Sequence, residues 1–268
     1  MPTTSSDRRS LTGTISSKFI SFFPLQAVIV FVCLGCSPDS RDIRKIILIS
    51  ANAEWTVVKE IYPDAKTEPS PFGEFFSKRV EGENVLFFHG GWGKVSAAAS
   101  AQYCIDRWHP DYMINLGTCG GFKNQVDRYA TLLVTRTVIY DIMEAMGDSR
   151  EAIEDYTTSI DLGWLTSPIP TDVKKVVMVS ADRDLVAGQL SMLSKEYGAI
   201  AGDWETGAIA WTCSKNKTRV LILRGVSDLV DTNGQGEAYG NEAVFVAGTK
   251  VVMQKLLKDL PAWLQLCK

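Results

Sequence analysis

Histidine is scarce in this chain. Only His89 and His109 occur among 268 residues. A zinc site needs imidazoles and thiolates clustered at short intervals. The six cysteines, Cys33, Cys36, Cys104, Cys119, Cys213 and Cys267, do not supply them. Their spacing is no disulfide framework, and the one CxxC, "CLGC", lies in an apolar run. No metal is expected. A basic excess is also missing: 28 Lys plus Arg face 31 Asp plus Glu, for a net charge of −3. That leaves no electrostatic footprint for nucleic acid. Repeats, low-complexity tracts and linkers are absent beyond the first forty or so residues. Hydrophobic residues make up 46% of the chain and charged ones 22%, which suits a globular protein with a sizeable core. Small-molecule chemistry gains by elimination.

Two phosphate-binding patterns fail as well. "GGWGKVS" invites a P-loop reading, but Lys94 is followed by Val95, and no glycine opens the motif. A Walker A needs a hydroxyl there to reach magnesium. The dinucleotide pattern fails because Ser96 stands at its third glycine. These glycines read better as permitting tight strand-to-helix packing.

The N-terminus has its own character. "MPTTSSDRRSLTGTISSK" is polar with net positive charge, and "FISFFPLQAVIVFVCLGC" is almost wholly apolar. This is the layout of an export signal. "LGC" before "SPDS" resembles a bacterial lipobox, with Cys33 where leucine is usual. Three readings stay open: a lipid-anchored exported protein, an uncleaved anchor, or a start codon placed too early before a cytoplasmic protein. Residues 1–41 are read as outside the fold, and 42–268 as one domain.

Within that domain, strand, glycine turn and helix recur. "RKIILIS", "ENVLFFHGGWG", "DYMINLGTCGGF", "KKVVMVSA" and "RVLILRGVSD" read as strands, several running into glycines. "YATLLVTRTVIYD" reads as one strand or two. "ANAEWTVVKEIYP", "KVSAAASAQYCIDRW", "AGQLSMLSKEYG" and "WETGAIAWTCSKN" read as helices. The last segment is an amphipathic helix with room for a second turn after Pro261. Ile142 to Thr171 reads as a long loop with a short helix. The pattern predicts an α/β fold with a buried central sheet. Ligands in such folds bind at the carboxyl ends of strands. Glu54, Gly120, Asp184 and Asp228 all fall just after predicted strands.

Taken singly, these residues have ordinary explanations. Glu205 sits at a helix start, where acids are favoured. Asp228 follows a strand, where Asp often begins a turn. Glu54 suits a solvated helix face. Cys119 in "GTCGG" lacks an evident histidine partner and reads as a small residue packed beneath a ligand loop.

In order along the chain, "SANAEW", "GGWGKVSAAAS", "INLGTCGGF", "VSADRDL", "DWETGAIA" and "LRGVSDLVD" resemble the nucleoside phosphorylase superfamily. Within it they resemble the nucleosidases acting on 5′-methylthioadenosine and S-adenosylhomocysteine. The likeness runs from about Ile46 to the C-terminus and is weaker from Tyr140 to Leu165. It implies a three-layer α/β/α sandwich with a twisted mixed central sheet. It also implies a homodimer or larger oligomer, in which the partner helps close the pocket for the 5′ substituent. No organic cofactor is implied.

The resemblance assigns roles residue by residue. Asp228 matches the general acid that protonates the purine at N7, with Ser227 orienting it. Glu54 matches the carboxylate that activates water. Glu205 matches the acceptor for the ribose hydroxyls. Thr118 and Gly120 belong to the substrate loop, with Gly121 beside them. Leu185 falls where the backbone contacts the purine. Trp204 stands where the family usually has methionine against ribose and base. Asp184 stands where an aromatic residue usually stacks on the base; stacking is lost unless Trp204 or Trp92 replaces it, and the alternative is that Asp184 hydrogen-bonds a base edge. Asp182 keeps the acidic position of that loop. Asn115 replaces an arginine that binds phosphate in the phosphorylases, so hydrolysis is favoured, while Arg224 is family-typical. The alternatives are a phosphate-dependent nucleoside phosphorylase and a non-catalytic nucleoside-binding exported lipoprotein.

Overall fold

Apolar runs of alternating facing build the centre of this fold. A computed structural model describes residues 43–165, 168–232 and 236–268. The signal-like segment lies outside them. Along the described chain come β1 (Lys45–Ile49), α1 (Asn52–Ile61), β2 (Glu68–Ser70), β3 (Gly73–Val80), β4 (Glu83–His89) and α2 (Gly93–Trp108). Next are β5 (Tyr112–Phe122), β6 (Thr131–Ile139), α3 (Ser149–Asp155), β7 (Thr158–Ser159) and β8 (Lys174–Ser180). The order ends with α4 (Leu190–Tyr197), β9 (Ala199–Asp203), α5 (Thr206–Lys215), β10 (Arg219–Val230) and α6 (Glu242–Leu264). No helix of the described residues is long and apolar enough to cross a membrane.

Successive side chains of a strand point to opposite faces. In β1, Ile47 and Ile49 meet Trp55, Val58, Met253 and Leu256 of α1 and α6 in one core. Ile46 and Leu48 belong to the other core, with Ala97, Ala101, Cys104, Ile209 and Cys213 of α2 and α5. One strand thus feeds two helix layers, which makes the three-layer sandwich. The small residues of α2 let it lie close to the sheet.

The sheet is mixed, in the order β10-β6-β8-β9-β5-β1-β4-β3-β2, and β10 also pairs with β5. That extra pairing curls β6, β8, β9, β5 and β10 into a closed ring, with the remaining strands as an extension. β10 runs parallel to β5 from Arg219↔Tyr112 to Val230↔Phe122. β9 runs antiparallel to β5, with Gly120 opposite Gly202.

Several expectations need correction. The "GTCGGF" glycines are not a loop: β5 continues to Phe122. Pairing with β10 on one side and β9 on the other outweighs the weak strand preference of glycine. Asp228 likewise lies inside β10, not after it. Glu205 precedes α5 as its N-cap residue, one place before the first turn. α6 runs unbroken through Pro261. β9 and the β2–β3 hairpin were not anticipated.

Candidate active site

β5 and β10 change register between Val226 and Asp228, so Ser227 is the extra residue of a bulge. A bulge bends its strand and re-aims side chains. Here it lets the adjacent Ser227 and Asp228 both face one cavity. Ser227 Oγ donates to Asp228 Oδ1 at 2.7 Å and also lies 3.3 Å from the Cys119 carbonyl. Asp228 is 6% exposed. Burial raises its pKa above the ordinary carboxyl range; the Ser227 hydrogen bond opposes this, and Glu237 adds to it.

Glu54 lies in the first turn of α1, buried against β5. Its Oε1 accepts from Thr118 N at 2.6 Å and Thr118 Oγ1 at 2.8 Å. Its Oε2 accepts from Ala51 N at 3.1 Å, the return half of a capping box. Ala51 has no side-chain acceptor for the other half. A carboxylate offers about four acceptor sites. The three protein donors leave room for a water or a sugar hydroxyl.

Glu205 is positioned by β9 and the start of α5. Gly93 N donates to its Oε1 at 3.1 Å, and Arg224 Nη2 lies 3.9 Å from its Oε2. Arg224 is wholly buried. Its Nε donates to Asp203 Oδ2 at 2.8 Å and to Thr206 Oγ1 at 3.0 Å. Asp203 in turn accepts from Ser180 Oγ at 2.7 Å and from Thr206. Gly117 makes room for the guanidinium: a Cβ there would stand 1.8 Å from Arg224 Nη1. One buried cation therefore serves Asp203, Glu54 and Glu205.

The charge balance of this cluster raises Glu205. Burial acts first and the Asp203 charge second, lifting its pKa from 4.5 to about 8. The folded state then holds a proton that the unfolded chain releases above pH 4.5. Stability from this group is full below that value and is lost as pH rises towards 8. The ligand-free protein should melt at a lower temperature at pH 8.5 than at pH 5.5. Glu205→Gln, which cannot ionise, should flatten that dependence in a thermal-shift series. An unchanged slope in the variant would contradict the cluster's assignment.

All nine residues singled out for the site come together. Glu54, Thr118, Gly120, Asp184, Leu185, Trp204, Glu205, Ser227 and Asp228 line one cavity of about 650 Å³. Trp92 lines it too, with its ring centroid 4.9 Å from that of Trp204 and tilted by 32°. Asp182 plays a different part. Its carboxylate accepts from Lys94 N at 2.7 Å, at the start of α2. Lys94 also pairs with Asp141, so this lysine is structural. Cys119 is buried beneath the site, where burial and the nearby Asp203 push its thiol far up, which leaves no thiolate nucleophile. Asn115 is buried and donates to the Leu48 carbonyl at 2.8 Å.

Sequence reasoning missed several lining residues: Arg183, Tyr239, Asn241, Glu242 and Phe245. The last four come from the β10–α6 connection and the start of α6, where no periodic pattern points inward. It also missed Asp203 as the partner of Arg224. The only available signal was the DxE spacing, which put two acids on either side of Trp204.

Residues 45–258 match the family model described as the phosphorylase superfamily. The chain is 26% identical over 201 residues to the Bacillus subtilis 5′-methylthioadenosine/S-adenosylhomocysteine nucleosidase, covering 69% of this chain and 86% of that protein. Among solved structures, a Helicobacter pylori nucleosidase of the same name, complexed with a 4-aminopyrrolopyrimidine compound, superposes with TM-score 0.68 at 17% identity, covering 82% of this chain and 99% of that one. The native Helicobacter pylori futalosine hydrolase superposes with TM-score 0.67 at 18% identity, covering 81% and 97%.

Proposed function

The chain belongs to the phosphorylase superfamily, and from that premise we propose that it hydrolyses the N-ribosidic bond of a purine nucleoside. The substrate is a 5′-modified adenosine such as methylthioadenosine or S-adenosylhomocysteine, and the products are free base and sugar. The observation that carries this reading is the convergence of Glu54, Glu205 and Asp228 on one cavity.

Each carboxyl group has one task. Asp228 holds a proton because burial raises its pKa. Protonated, it can donate to the purine N7 as the bond to ribose breaks. Ser227 keeps it aligned. The hydroxyl has a single proton and two acceptors within 3.3 Å. Ser227 Oγ donates to Asp228 Oδ1, so the carboxyl proton is carried on Oδ2, free to pass to N7. Glu54, held by Thr118 and Ala51, takes a proton from the attacking water. Glu205 accepts from the ribose hydroxyls. In the ligand-free protein its raised pKa keeps it largely protonated at neutral pH; positive charge developing on the ribose favours its ionised form, and that anion stabilises the oxocarbenium-like sugar of the transition state.

Water rather than phosphate suits the charge of the cavity. Among the described residues lining it, six are acidic, namely Glu54, Asp184, Asp203, Glu205, Asp228 and Glu242, and Arg183 is the one cation. Arg224 pairs with Asp203 through Nε and is wholly buried behind the lining. Even with protons held on Asp228 and Glu205, the acidic groups of the lining outnumber its one cation, and a phosphate dianion would enter against this field. The test is release of free base from methylthioadenosine in phosphate-free buffer.

The reading includes a homodimer. Trp92, which lines the cavity, and Val95 at the start of α2 are 65% and 82% exposed, and Met143 and Met146 in the β6–α3 connection are 94% and 97% exposed. The Lys94–Asp141 pair joins these two segments. An apolar patch of this kind fits a second copy of the chain.

A further inference from the structure

The base end of the cavity lacks its expected aromatic residue. Position 184 is an exposed aspartate in the loop after β8. Trp92 and Trp204 pack on each other, and Trp204 directly precedes Glu205, on the ribose side of the reading above. A different ring stands beside Asp228 and Leu185. Tyr239, from the β10–α6 connection, lines the same cavity. Its hydroxyl donates to the Leu185 carbonyl at 2.8 Å. Its ring packs on the cluster containing Phe122, Tyr140, Leu185 and Val230. Gly236 lies against that ring, where a Cβ would come within 2.7 Å of two ring carbons. The ring is thus held at its hydroxyl end and along its side.

We propose that Tyr239 is the specificity-determining residue of the base end, its ring forming the wall against which the purine lies in place of the aromatic side chain that position 184 lacks. The inference rests on the reading that Asp228 protonates a purine in this cavity. A tyrosine with a fixed hydroxyl presents a rigid face at low entropic cost. Burial and the nearby Asp184 and Asp228 raise its pKa, so the hydroxyl stays a neutral donor. The Leu185 carbonyl then has one lone pair engaged by the protein and one left for a donor on the base. That favours a purine with an amino edge.

The test compares wild type, Tyr239→Phe and Tyr239→Leu for equilibrium binding of free adenine and for hydrolysis of methylthioadenosine. Losing the ring should weaken adenine binding and raise KM by about 5- to 100-fold, the range of base–aromatic stacking, with a smaller change in kcat. Tyr239→Phe keeps the ring and should stay within about threefold of wild type. Melting temperatures verify folding, and Tyr239→Met, closer in length, replaces the leucine variant if that one unfolds. Wild-type adenine affinity in the folded leucine or methionine variant overturns the inference. So does a phenylalanine variant as impaired as the leucine one, because the hydroxyl would then matter and not the ring. Wild type that binds adenine but hydrolyses no nucleoside sinks the functional reading and leaves the binding comparison to decide this one. Wild type that does not bind adenine overturns both.

Discussion

Asp228→Asn should lower kcat for nucleoside cleavage by roughly 10²- to 10⁴-fold, the usual worth of a positioned general acid. Asparagine keeps the shape and can still accept from Ser227, but it carries no transferable proton. Folding should survive. Asp228 is 6% exposed and has its pKa raised chiefly by burial, so its ionised form is a cost to the folded state. Removing that cost should leave the melting temperature of the variant at or above that of wild type at neutral pH. The same reasoning sets the sign of the pH profile. The acid works while protonated, so activity should fall as pH rises through its raised pKa and Asp228 loses its proton. A variant within tenfold of wild type would remove Asp228 from the role.

Arg224→Met should be the most destabilising single change in the site. Methionine replaces the aliphatic stem of the side chain but not its guanidinium or its charge. The substitution leaves Asp203, Glu205 and Glu54 buried without their shared cation. Breaking a buried ion pair from one side costs about 3–5 kcal/mol. For a domain of this size that is a fall of roughly 6–20 °C in melting temperature. Activity should fall too, since Glu205 loses the cation 3.9 Å away. Adding Asp203→Asn should recover part of the stability, because it removes one of the uncompensated charges. A melting temperature within about 2 °C of wild type for Arg224→Met would show that the cluster does not depend on its arginine.

The parts of the fold that were legible in the sequence are those where local pattern and tertiary environment agree. Residues 46–49 of β1 and 85–88 of β4 are continuous apolar runs, and they are buried on both faces. α4 ends at Gly198, whose φ of 71° is the left-handed cap that glycine favours. Where the two disagree, the sequence misleads. "GTCGGF" has the composition of a turn, yet it is strand because β9 and β10 pair with it. β2 contains Pro69 and is largely exposed, as an edge strand can be, so its composition reads as loop.

The site followed the same division. The nine site residues drawn from the six motifs all line the cavity, because each motif carries its own backbone placement: a helix start for Glu54, a bulge for Asp228, a strand end for Glu205. Tyr239 stayed hidden. It sits in "EAYGN", between turns, and what aims it is a carbonyl 54 positions earlier in the chain. No spacing in the sequence encodes that contact. The missing aromatic at position 184 was visible; the ring proposed to replace it was not.

The most direct measurement is the phosphate dependence of base release. Purified protein is incubated with methylthioadenosine and a panel of purine nucleosides, with phosphate rigorously removed and then added back, while free base and sugar are quantified. The account predicts base and free reducing sugar in equal amounts, at a rate that does not rise with phosphate. Base released only when phosphate is present, with the sugar recovered as its 1-phosphate, would contradict it. Tight nucleoside binding with no release under either condition would contradict it equally.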